Sequence, residues 1–120
     1  MSTLEAILTI PVLVAMFLAV VQVAMWWYAR QLASTAAQEA SRTARAYAST
    51  AIAGHDRGEE YLTLQQANGH ALTDVQVHVR RSATTVTVTV TGYTVSLVPY
   101  LKLRISETSS GPVERYVPPQ

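Results

Sequence analysis

Residues 4–30 read Leu4-Glu-Ala-Ile-Leu-Thr-Ile-Pro-Val-Leu-Val-Ala-Met-Phe-Leu-Ala-Val-Val-Gln-Val-Ala-Met-Trp-Trp-Tyr-Ala-Arg30. From Ala6 to Ala29 there are 24 residues without a charge. As a helix rising about 1.5 Å per residue this run is about 36 Å long. A bilayer core is about 30 Å thick, so the run is long enough to cross it with some tilt. Trp26, Trp27 and Tyr28 stand just before Arg30, where an interfacial aromatic belt with a flanking cation is expected. Glu5 stands at the other end.

A cleaved signal peptide fits this run poorly. It exceeds an h-region of 7–15 residues, no basic n-region precedes it, and no small-x-small site follows it directly. Ser2-Thr3-Leu4-Glu5 has the spacing of a capping box, with Ser2 accepting from the Glu5 N–H and Glu5 reaching back to the Ser2 N–H. Pro11 cannot donate to the carbonyl of Ile7, so local softening of the helix is expected there.

The helical pattern continues past Arg30. Ala33, Ala36, Ala37, Ala40, Ala44, Tyr47, Ala48 and Ala51 recur at three- and four-residue spacing, and polar residues fill the positions between. One helix is therefore expected from Ser2 to about Ala53, apolar all round in its first half and amphipathic in its second. Glu39 and Arg42 form an i,i+3 pair on it. Gly54 reads as its stop. Asp56 then reads as the cap of a short second helix from about Arg57 to Asn68, ended by Gly69.

Beyond residue 70 the period changes to two. Val75, Val77 and Val79 alternate with Gln76, His78 and Arg80; Val86, Val88 and Val90 alternate with threonines. These are half-buried strands, with Arg81–Thr84 as the hairpin turn between them. Tyr93–Leu101 reads as an apolar loop and Leu103–Ile105 as a third strand. Thr108–Pro112 reads as a turn, followed by a short fourth strand over Val113–Val117. The valine face needs a cover, and the helices are its only candidates.

The chain has 120 residues, a formal net charge of +1 and no cysteine. About 90 residues outside the apolar run suffice for one small domain. The expected division is residues 1–30 as a transmembrane or filament-core helix and residues 31–120 as the amphipathic helix half with a small α+β head. Residues 31–120 carry eight Lys/Arg against seven Asp/Glu, which gives no basic footprint for nucleic acid. His55, His70 and His78 lack partners at metal-ligand spacing. No nucleophile elbow, phosphate loop or paired-carboxylate pattern occurs. The reading is of a protein that is not an enzyme, with no cofactor and no metal.

An apolar N-terminal helix with Glu5, an amphipathic continuation and a small antiparallel sheet resembles a type IV pilin-like subunit. More specifically, the chain is similar to the TadE-like family of tight-adherence (Tad, or Flp) pilus systems. The carriers are Ser2–Ala6, Leu8–Leu13, Trp27–Leu32 and the Ala/Arg stretch to Ala46, with a weaker likeness over Val86–Val90, Leu97–Pro99 and Leu103–Ser106.

The resemblance implies a pilin-like α+β fold and a basic leader removed by a prepilin peptidase, with Met1 at the mature start. It implies Tad-type assembly machinery as a partner, insertion in the inner membrane, and then extraction into a helical filament of copies of itself or other pilins on the cell surface. Adhesion, surface attachment and DNA uptake are the roles it suggests. Glu5 and Met1 are the residues expected to set assembly and register, with Pro11 as the softening and Trp26, Trp27, Tyr28 and Arg30 as the membrane-interface belt. Arg30, Arg42 and Arg45 would by charge alone hold the C-terminal side inside; the resemblance places it outside. The reading of a different class is a single-pass anchor carrying a small binding domain that never polymerises.

Overall fold

The computed structural model describes residues 2–46, 49–66, 71–97 and 102–114. Helix α1 runs from Thr3 to Arg45 and helix α2 from Ala51 to Gln65. Strands β1 (Leu72–Arg81), β2 (Thr85–Thr94) and β3 (Leu103–Pro112) form one antiparallel sheet in the order β1-β2-β3. This is the expected pilin-like α+β layout: a long N-terminal helix, a short second one and a small sheet. The molecule measures 82 × 25 × 22 Å.

Length matching explains how sheet and helix fit. Ten-residue strands are about 33 Å long, and α1 from Gln22 to Arg45 is about 35 Å. The sheet thus covers the distal half of α1 and leaves the proximal half bare. Its inner face carries Leu72, Val77, Val86, Val88, Val90 and Ile105, all buried. Against them lies an alanine stripe, Ala29, Ala33, Ala36, Ala37, Ala40 and Ala44, at most 1 % exposed. Small side chains bring helix and sheet close, so the large volume in this core comes from the strands. The outer face presents Thr87, Thr89 and Thr91 of β2, whose cross-strand neighbours are Arg80, His78 and Gln76 on one side and Ser110, Thr108 and Ser106 on the other.

The helical region departs from the single helix expected to Ala53. α1 ends at Arg45, and Ala46 is extended (φ −58, ψ 147). Thr50 then caps α2, its hydroxyl accepting from the Ala53 N–H at 3.1 Å. Asp56 is inside α2 and Gly54 stops nothing. Gly54 and Gly58 are buried where α2 lies on α1, and a Cβ on Gly54 would come within 2.6 Å of the Ala44 Cβ and 2.8 Å of the Ala40 carbonyl oxygen. A turn between the helices lets the chain bury its glycines against its alanines, a gain that outweighs the helix propensity of residues 46–50. Tyr47, Ala48 and the expected stop at Asn68–Gly69 lie outside the described residues.

The sheet also differs in detail. The 81–84 turn is found, with the Ser82 hydroxyl accepting from the Thr84 and Thr85 N–H groups. Thr108–Pro112 is no turn: it pairs with Thr89–Thr85, the first half of β2. Gly111-Pro112 closes an edge strand, the place where a residue without an N–H is tolerated. Val113 and Glu114 are in no strand; the rest of the expected fourth strand lies outside the described residues. Tyr93 and Thr94 belong to β2.

Candidate functional site

The proximal half of α1 is a bare apolar rod. Leu4, Ile7, Leu8, Ile10, Val12, Leu13, Val14, Met16, Phe17 and Val20 are each more than half exposed. Because they include runs of consecutive residues, they point in every direction around the helix, as in a segment surrounded by lipid or by other apolar helices. An 18-residue window of α1 is apolar enough to cross a membrane, and only 6 % of it is buried within the chain. Residues 4–21 span about 27 Å, close to a hydrocarbon core.

Glu5 sits at the foot of this rod, exposed, in a complete capping box. Its backbone N–H donates to the Ser2 hydroxyl at 3.2 Å, and the Ser2 N–H donates to its carboxylate at 3.4 Å. Met1 lies outside the described residues. Pro11 is within α1, which continues through it.

The head meets the rod at Gln22, a residue whose only sequence signal was a polar side chain in an apolar run. Gln22 is 6 % exposed. Its side-chain N–H donates to the Val95 carbonyl at 3.1 Å, and its side-chain oxygen accepts from the Leu97 N–H at 2.7 Å. A carbonyl can only accept and an N–H can only donate, so these partners fix the orientation of the amide. Gln22 thereby ties the segment after β2 to the helix, at the level where the bare rod ends. We predict that Gln22→Leu leaves both backbone groups unpaired in a half-buried place and costs about 1–3 kcal/mol. Hydrogen exchange of the Leu97 amide in the detergent-solubilised chain is the sensitive measurement; unchanged protection in the variant would exclude the clip.

The four residues of the expected belt part company. Trp26 is half-buried against the core. Arg30 lies over its ring, 4.9 Å from the centroid, and pairs with Glu107 of β3 at 2.8 Å. Trp27 and Tyr28 are more than half exposed. Trp26 and Arg30 thus hold β3 to the helix, while Trp27 and Tyr28 stay open to whatever surrounds it. Among the described residues Gln22 bonds to the head and Trp26 packs against its core.

At the distal end Arg45 and Arg81 meet the last turn of α1. The Arg81 guanidinium donates to the Ala44 carbonyl at 2.9 Å, and the Glu114 N–H donates to the Arg45 carbonyl at 2.7 Å. These satisfy carbonyls that every helix end leaves over. A Cβ on Gly111 would come within 3.0 Å of the Arg45 Cδ and Cζ, so Gly111 makes room for that side chain.

Compared with known families, residues 1–42 match the family TadE, described as TadE-like protein. The match takes in nearly all of α1 and none of α2 or the sheet. No curated protein and no solved structure matches the chain.

Proposed function

We propose, from the match of the first 42 residues to the TadE-like family, that the chain is a Tad pilus-associated component and, within it, a structural subunit of the pilus. It is a pilin or pseudopilin rather than an enzyme. The observation that carries this reading is the bare rod: an all-round apolar helix half, uncharged beyond Glu5, continuous with a half that is packed into a folded head. Lipid covers such a rod before assembly, and the rods of neighbouring subunits cover it afterwards. The head then faces outward, on the cell surface. Prepilin peptidase and Tad-type machinery are the partners this route needs, and surface attachment is the role it serves.

Bundling needs no specific polar contact along most of the rod, since close packing of apolar side chains is sufficient there. Specific axial register needs at least one polar group, and Glu5 is the only ionisable residue between Ser2 and Tyr28. The test is electron microscopy of fibres sheared from the native host, with antibody to the head. Labelled fibres are expected, together with a membrane-bound pool in the same cells. A chain found only in the membrane fraction while fibres form without it would replace this reading with that of a single-pass anchor for a small binding domain.

A further inference from the structure

The outer face of the sheet carries a polar groove at its membrane-proximal end. Between Thr73 and Gln76 the register of β1 slips against β2, so that Asp74 and Val75 together face the single Gly92. The bulge changes parity: Leu72 and Val77, five positions apart, both point into the core. Asp74 is the bulged residue and has φ 51, in a region that L-residues other than Asn and Asp seldom enter. Bulges of this kind re-aim side chains.

Two hollows open beside it. One, of about 540 Å³, is lined by Asp74, Gln76, Thr91, Tyr93 and Arg104 among others. The other, of about 280 Å³, is lined by Asp74, Tyr93, Thr94, Ser96 and Lys102 among others. Tyr93 and Asp74 line both. The first hollow is a half-open depression, with Asp74, Gln76 and Arg104 exposed at its rim. Asp74, Lys102 and Arg104 make no ion pair with one another or with any other described residue.

The geometry points to a saccharide-binding groove for acidic sugars of the uronic acid class. The tyrosine ring offers an apolar face to the C–H face of a pyranose and a hydroxyl at its tip. The Asp74 carboxylate accepts from sugar hydroxyls, the Gln76 amide keeps its N–H donors while its oxygen meets His78 Nε2 at 3.2 Å, and the Thr91 hydroxyl both donates and accepts. Arg104 takes a carboxylate in two parallel hydrogen bonds, with Lys102 as a second, point-like cation. One carboxylate against two cations leaves the groove at +1, which suits a ligand with one negative charge per ring. A phosphate dianion would bring twice the charge of a uronate carboxylate against the same Asp74 and exceed the groove's +1, with no helix N-terminus there to offset it. An amine would meet two cations. The groove is formed within one chain and does not depend on assembly, so its test is separate from that of the pilus reading.

The experiment uses the full chain, isotope-labelled, in nanodiscs of phosphatidylcholine, titrated with trigalacturonate, maltotriose or sodium phosphate at equal ionic strength. Amide resonances of Thr91–Tyr93 and Arg104 should move with trigalacturonate and stay still with the other two. Arg104→Gln should weaken binding at least tenfold. Asp74→Gly relieves the backbone and should keep or raise the melting temperature while weakening binding by a similar factor. Absence of any shift, an equal shift with phosphate, the same shifts on replacing phosphatidylcholine by phosphatidylglycerol, or full affinity in the well-folded Asp74→Gly variant would each overturn the assignment.

Discussion

Glu5→Ala is expected to reach the membrane at the parent level and to give few or no fibres. In a single subunit Glu5 is exposed and held by Ser2, so removing it there costs only a cap, about 1 kcal/mol. In a filament of the proposed kind the foot of each rod is enclosed by other rods, and an isolated carboxylate must find a cation. On its own helix the next basic residue is Arg30, 25 residues away, or about 37 Å. With Met1 as the mature start that the TadE-like resemblance implies, its α-ammonium, in the same or a neighbouring subunit, is the partner the proposed register supplies. Breaking such a buried pair costs about 3–5 kcal/mol, a loss of two to three decades or more in the equilibrium for adding each subunit. Glu5→Gln separates the two roles. A glutamine side chain still reaches back to the Ser2 N–H, so a purely capping Glu5 predicts normal fibres from it, whereas a pairing Glu5 predicts a defect. Membrane-fraction blots beside micrographs of sheared material are the readout, and normal fibres from Glu5→Ala would remove the assembly role.

Gly54→Ala is expected to destabilise the head by about 2 kcal/mol or more, against its own helix propensity. Replacing glycine by alanine in a helix interior ordinarily gains about 1 kcal/mol. At Gly54 the new methyl would lie 2.8 Å from the Ala40 carbonyl oxygen and 2.6 Å from the Ala44 Cβ. The first obstacle is backbone, which cannot turn aside, so α2 must lift from α1. Overpacking of this kind costs about 1–3 kcal/mol, occasionally more, and lifting α2 also loosens its seat on β1. Gly58→Ala is the control. Its Cβ would meet the Val77 Cγ1 at 3.1 Å and the Ala40 Cβ at 3.2 Å. Those are side-chain contacts that yield by a few tenths of an ångström, so propensity and crowding nearly cancel. Denaturant unfolding of the detergent-solubilised variants gives both signs; a more stable Gly54→Ala would mean that the helices stand farther apart. Against a total stability of about 5–15 kcal/mol for a domain, the Gly54 loss is large.

Periodicity along the chain determined much of this protein. An uncharged run of the right length made residues 6–29 part of a helix long and apolar enough to cross a membrane, and the alanines at helical spacing continued it. Alternating valines gave β1 and β2 with the correct inward face, and Ser2 and Glu5 gave the cap. These features are legible because each depends on neighbours within a few residues. The tertiary structure alone decided the rest, through contacts between residues far apart in sequence. Gly54 looked like a helix stop because glycine usually is one; only the approach of Ala40 and Ala44 makes it a packing surface. Thr108–Pro112 has turn composition, and it is a strand because β2 offers ten residues to pair with. Gln22 looked like a stray polar residue until the Val95 and Leu97 backbone groups, more than 70 positions on, came to meet it. Asp74 seemed to continue a regular strand. The need to bury both Leu72 and Val77 on one face forces the bulge that turns its carboxylate position into the rim of a groove, and no local pattern of residues carries that demand.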